Sequence, residues 1–184
     1  MLARINHIAI ISHQYPMLGK FYQSLYGMKP GDSPPESAVS YGDGNVGLQI
    51  LPRRDGYIAG LDHFGMVVDD LGAVEERLRK YDGANMIKRP SSRPFAAYSA
   101  NDPDGNHFDL AEPQRGNLKE VYSLDGWDAE RWVNRYAIRT PHAERMAEFY
   151  QDVFELALLE GGSGGDAFSL SDGRVTFRIL QWDM

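Results

Sequence analysis

Residues 5–12, Ile-Asn-His-Ile-Ala-Ile-Ile-Ser, return in altered form as Leu-Asp-His-Phe-Gly-Met-Val-Val at 61–68. Both are short apolar runs with a histidine at the third place, the pattern of a strand that opens a unit. Further along, Asn6, Ala9, Ile10, Phe21, Tyr22 and Gln23 recur in the same order as Asn134, Ala137, Ile138, Phe149, Tyr150 and Gln151. Ser40, Asp43, Gly44, Val46, Ile50 and Leu51 recur as Ser169, Asp172, Gly173, Val175, Ile179 and Leu180, one residue later in register. The chain therefore reads as three copies of one unit, the middle copy the most diverged.

Each copy opens with an apolar run: Ile5 to Ile11, Leu61 to Val68, and Val133 to Ile138. A helix follows, its apolar residues three and four apart: Leu18, Phe21, Tyr22 and Leu25; Val74, Leu78 and Tyr81; Met146, Phe149, Tyr150 and Val153. Asp69 or Asp70 is placed to cap the second helix, and Thr140-Pro141 to open the third. Three short strands broken by Gly, Asp, Asn and Pro then close the copy. The unit is βαβββ and the fold class α+β. The polar stretch Gln114 to Ala129 lengthens the second interval and reads as a linker. The expected division is therefore 1–113 for the first two units, 114–129 for the linker and 130–184 for the third unit.

With 184 residues, 42% hydrophobic and 24% charged, the chain can bury a core of its own. The absence of cysteine excludes disulfides, thiolate metal sites and a thiol nucleophile, so any metal must be held by His, Asp, Glu, Gln or Asn. The net charge of −7, with scattered basic residues, offers no footprint for a nucleic-acid backbone. The opening apolar run is too short for a signal peptide or a membrane span. The expectation is a soluble, cytoplasmic protein with no membrane partner.

Strand alternation places the candidate chemistry. If Val46, Leu48 and Ile50, and Phe108 and Leu110, pack against the helices, then Gln49, His107 and Asp109 lie on the opposite, concave face. By the same alternation His7 points there too, and His63 follows from the repeat. Two imidazoles and a carboxylate suit a six-coordinate divalent ion with open positions, Fe(II) above all, with Mn, Co, Ni or Zn also accommodated. His107 is a candidate acid–base group or substrate contact, and Tyr98 a candidate for orienting a substrate oxygen. His13 and His142 read as surface residues, and Gly161 to Gly165 as a flexible turn, since no Lys-Ser/Thr follows to make a phosphate loop.

The βαβββ unit, the opening Asn/Asp-His-apolar-Ala/Gly and the closing Asp-Pro-Asp-Gly-Asn-His-Phe-Asp-Leu at 102–110 resemble the vicinal-oxygen-chelate superfamily. That superfamily includes glyoxalase I, methylmalonyl-CoA epimerase, extradiol ring-cleaving dioxygenases and bleomycin-binding proteins. The resemblance implies that two units pair into an eight-stranded cup, with metal ligands from the first and last strand of each. Here those positions hold His7, Gln49, His63 and Asp109, the last one methylene shorter than the family's usual Glu.

The resemblance implies a divalent-metal-dependent enzyme acting on a small substrate with vicinal oxygens. A ring-cleaving dioxygenase is slightly favoured, because a longer, four-unit chain is the usual extradiol build. Gln49 as a fourth ligand argues instead for a glyoxalase- or epimerase-like lyase or isomerase. A metal-free drug-binding protein is the alternative outside catalysis, and the retained His7, His63 and Asp109 speak against it. In the third unit the ligand positions hold Arg135 and Arg178, which suit an anionic group on a substrate rather than a cation. That unit's sheet face needs a cover. The expectation is a homodimer through the third unit, or a missing fourth unit of a longer chain.

Overall fold

The computed structural model describes residues 2–31, 38–90, 96–113 and 132–183. The linker expected at 114–129 lies outside the described residues. Twelve strands and three helices are present among them, in three successive βαβββ runs. The first is β1 (Ala3–Ser12), α1 (Tyr15–Tyr26), β2 (Lys29–Pro30), β3 (Val39–Gly42) and β4 (Gly47–Pro52). The second is β5 (Gly60–Val68), α2 (Leu71–Leu78), β6 (Asn85–Lys88), β7 (Tyr98–Asn101) and β8 (His107–Ala111). The third is β9 (Arg135–Thr140), α3 (Ala143–Phe154), β10 (Ala157–Glu160), β11 (Ala167–Ser171) and β12 (Thr176–Gln181). The first eight strands form one sheet in the order β2-β3-β4-β1-β5-β8-β7-β6, and the last four a second sheet in the order β10-β11-β12-β9. The architecture is mixed α+β, as the repeat predicts.

The chain divides into two compact units, one from the described residues of 1–5, 66–115 and 134–184, the other from those of 6–65 and 116–133. In the second of these, β1 runs parallel to β4, with His7 opposite Gly47 and Ala9 opposite Gln49. Helix α1 lies on β3 and β4. It ends at Gly27, whose φ of 66° is a left-handed stop that glycine adopts without a Cβ clash. Val46 and Ile50 are fully buried.

In the other unit, Asp70 caps α2 by accepting from the Ala73 N–H at 2.9 Å. Helix α3 buries Met146, Phe149, Tyr150, Val153 and Phe154, each such side chain contributing roughly 1.5–3 kcal/mol by leaving water. Phe108 of β8 meets the rings of Tyr150 and Phe154, at centroid distances of 6.1 and 5.5 Å. The apolar side of β8 therefore packs on the third run's helix. Its rings are larger than the Val74 and Leu78 that α2 buries.

Three repeat-related aspartates tie the turns to distant chain. In each, one carboxylate oxygen closes its own turn and the other reaches far along the sequence. Asp43 Oδ1 accepts from the N–H groups of Asn45 and Val46, and its Oδ2 from the Val133 N–H at 2.5 Å. Asp172 Oδ1 accepts from those of Arg174 and Val175, and its Oδ2 from the Ile5 N–H at 2.8 Å. Asp102 Oδ1 takes the N–H groups of Asp104 and Asn106, while its Oδ2 accepts from the Tyr150 hydroxyl at 2.9 Å. The Asp102-Pro-Asp-Gly-Asn motif is thus a structural clamp. Burial pushes the Tyr150 hydroxyl well above its ordinary pKa, and the Asp102 charge adds to this, so the phenol keeps its proton and donates it.

Candidate metal centre

His7 sits in the middle of β1, fully buried. Its Nδ1–H donates to the Asn6 Oδ1 at 2.7 Å. His63 of β5 repeats the arrangement, with Nδ1–H donating to the Asp62 Oδ2 at 2.6 Å. An oxygen acceptor holds a ring proton on Nδ1 and so selects, for metal binding, the tautomer that ligates through Nε2. The residue before each histidine, Asn in one copy and Asp in the other, therefore has a chemical task that the sequence pattern alone did not explain. The two rings lie edge to face, 5.5 Å between centroids and 81° between planes.

Room for this pair comes from Gly65. A Cβ at that position would stand 1.9 Å from the Cε1 of His7, so the His7 ring occupies the space that any other residue would fill. Gln49 is buried on β4 opposite Ala9, two residues along the strand from His7 and on the same face.

On β8, Asp109 is 2% exposed at its side chain and lies 2.8 Å from the Nη2 of Arg89 through Oδ1. His107, half-exposed, shares its face. Its Nε2 is 2.5 Å from the Ser99 Oγ and 3.8 Å from the Asp109 Oδ1. The β7–β8 register explains this grouping: Ser99 pairs with Asp109, and Asn101 with His107. Tyr98 pairs with Leu110 and so lies on the opposite face. The expectation that Tyr98 orients a substrate oxygen is corrected here, and Ser99 holds the position instead.

In the third run the two arginines share a face, Arg135 opposite Thr176 on β12 and Arg178 opposite Ala137 on β9. Arg135 is exposed, whereas the Arg178 Nε is a buried donor with no hydrogen-bond partner among the described residues. His13 and His142 are both exposed, as expected, and each has a partner. His13 Nε2 is 2.6 Å from the Arg53 Nη1, and His142 Nδ1 is 2.9 Å from the Asp104 Oδ1. Asp104 also accepts from the His142 N–H at the start of α3, supplying the cap that His142 itself does not. The Gly161–Gly165 segment is the turn between β10 and β11. No helix among the described residues is long and apolar enough to cross a membrane.

The donor set is chemically suited to a divalent cation. Two imidazoles with anchored Nδ1 groups and a buried carboxylate are ligand types that Fe(II), Mn(II), Co(II), Ni(II) and Zn(II) accept. The Nδ1 anchors and the space left by Gly65 are what such a site requires of its surroundings.

The chain belongs to the glyoxalase/bleomycin resistance protein/dioxygenase superfamily, whose family model matches residues 4–110. Solved structures with the same fold include the Mn(II)-bound glyoxalase from Novosphingobium aromaticivorans, 16% identical with a TM-score of 0.73. The 2,3-dioxygenase LapB from Pseudomonas sp. KL28 is 15% identical with a TM-score of 0.71. An extradiol ring-cleaving dioxygenase from B. fuscum is 14% identical with a TM-score of 0.68. Each similarity covers 98% of this chain, but only 62%, 70% and 54% of those three proteins in turn. No curated protein matches the chain in sequence.

Proposed function

We propose that His7, His63 and Asp109 hold one divalent metal ion and that the chain acts on a small substrate with adjacent oxygens. The observation that carries this reading is the pair of buried histidines in one unit, 5.5 Å between ring centroids, each with its Nδ1 held by an oxygen; the buried carboxylate of Asp109 is the proposed third ligand. When bound, the metal supplies a Lewis acid at which two vicinal substrate oxygens can chelate. Asn6 and Asp62 keep both imidazoles in the ligating tautomer, Gly65 leaves His7 its place, and Asp109 brings the negative charge. His107, positioned by Ser99, is the group that exchanges a proton with a substrate oxygen.

Among the reactions of the superfamily, extradiol-type ring cleavage with Fe(II) is the proposed one, in line with the dioxygenases among the structural neighbours. A catechol assay under air with Fe(II)-loaded protein tests it. The expected result is a ring-cleavage chromophore that His63→Ala does not produce, and a chromophore of equal yield in that variant contradicts the reading. The position of Gln49 on the face of His7 favours a second reading, a lyase or isomerase with four protein ligands. That reading predicts solvent-deuterium incorporation into an α-hydroxy or α-acyl substrate without oxygen uptake. The proposal includes a homodimer through residues 130–184, which sedimentation of the purified chain tests.

A further inference from the structure

The carboxylate of Asp109 already has a cation. Arg89 follows β6, its N–H anchored on the Ala97 carbonyl at 2.9 Å, and its Nη2 stands 2.8 Å from the Asp109 Oδ1. The geometry is one-sided. Asp109 is almost wholly buried at 2% side-chain exposure, whereas Arg89 is 29% exposed, so one edge of the guanidinium faces inward and the rest faces solvent. Among the described residues its side chain meets Asp109 and, at 3.5 Å, the His107 Nε2, both through Nη2.

A guanidinium has five N–H donors in a planar fork and keeps its charge at any ordinary pH. A divalent cation arriving at Asp109 would therefore meet a fixed positive charge competing for the same oxygen. Two outcomes satisfy the electrostatics: the metal binds weakly, or Arg89 turns its fork to another anion.

Resting on the metal reading above, we propose that Arg89 is an anion-recognition residue coupled to the metal. It neutralises Asp109 in the metal-free protein and engages a carboxylate of the substrate when the metal takes Asp109. The substrate class is thereby narrowed to a compound that carries a carboxylate besides its vicinal oxygens. Coupling between two bound species is reciprocal, so the anion must tighten the metal as much as the metal tightens the anion. The exposed edge of Arg89, beside Ser99 and His107, is where such a carboxylate would enter.

The test is Mn(II) titration of the whole chain, followed by calorimetry and by the thermal midpoint, with and without benzoate as the anionic probe. Arg89→Gln removes the competing charge. It should bind Mn(II) at least about fivefold more tightly than the wild type, the lower end of ordinary site-to-site coupling. Its metal-free form should melt at a lower temperature, because a buried carboxylate has lost its guanidinium contact, and Mn(II) should raise that midpoint by more than in the wild type.

Benzoate should tighten Mn(II) binding in the wild type and leave Arg89→Gln unchanged. Arg89→Lys, which keeps the charge without the fork, should retain weak metal binding and lose most of the benzoate effect. Unchanged or weaker Mn(II) binding in Arg89→Gln overturns the inference while the metal centre stands, provided His63→Ala abolishes binding. Equal benzoate effects in wild type and Arg89→Gln overturn it likewise. Absence of Mn(II) binding in both wild type and Arg89→Gln overturns the metal centre and the inference together.

Discussion

The ring of His7 occupies the space a side chain on Gly65 would need: a Cβ there would stand 1.9 Å from the His7 Cε1 and 2.2 Å from its Nδ1. One glycine, two residues after His63, thus sets the separation of the two imidazoles. The repeat makes this specific, because the corresponding positions in the other copies hold Ala9 and Ala137. Gly65→Ala should displace His7 and lower metal affinity at least about 10–100-fold, the range for losing an outer support of a ligand. It should also cost about 1–3 kcal/mol of stability from overpacking. Metal titration and urea unfolding measure the two effects separately.

Asp62 accepts from the His63 Nδ1–H at 2.6 Å. Replacing it with Ala frees the imidazole to change tautomer and to rotate. The expected outcome is roughly a 10–100-fold weaker metal affinity at an almost unaltered melting temperature, since Asp62 is partly exposed. Asp62→Asn keeps an oxygen acceptor and should recover most of the affinity.

Asp172 accepts three backbone N–H bonds while 3% exposed, one of them from Ile5 at the other end of the chain. Asp172→Ala would leave buried donors unsatisfied and should cost about 3 kcal/mol in urea unfolding, at 1–3 kcal/mol per group left without its partner. Asp172→Asn retains an acceptor oxygen and should cost less. Equal losses for the two variants would show that the carboxylate's hydrogen bonds are not the cause.

The loop at 102–106 also makes the fold acid-sensitive. Burial pushes the Asp104 carboxyl up, but hydrogen bonds from Thr140 and His142, together with the His142 charge, outweigh it and hold the carboxyl below its ordinary value. A carboxylate lowered in this way contributes its stability in full above about pH 4 and loses it as the pH falls further. Asp102 works in the opposite direction, since burial raises its pKa and favours the protonated folded form. Thr140→Val removes one of the bonds that lower Asp104 and should move the acid-unfolding midpoint to higher pH. Circular dichroism through an acid titration reads this directly.

Much of the fold was legible in the sequence, and so was the meeting of His7 with His63, because repeat and alternation both constrain them. A repeated unit must fold alike in each copy, and a period-two pattern allows only one face for a polar residue flanked by core residues. Tyr98 escaped the same logic. Its strand has four residues, and its register is set by the loop at 102–106, so a shift of one residue decides whether Tyr98 or Ser99 faces Asp109. Arg89 left no signal, since a lone arginine after a short strand carries neither repeat nor spacing. Asp43, Asp102 and Asp172 were visible as turn residues, but their second oxygens reach groups 48 to 167 positions away, which no local pattern records.

Elemental analysis of protein purified without oxygen, wild type beside His63→Ala, measures the metal most directly. About one divalent metal per wild-type chain is expected, iron if the chain cleaves aromatic rings, and its loss in the variant. A wild type without stoichiometric metal, or a variant that keeps it, would contradict the account.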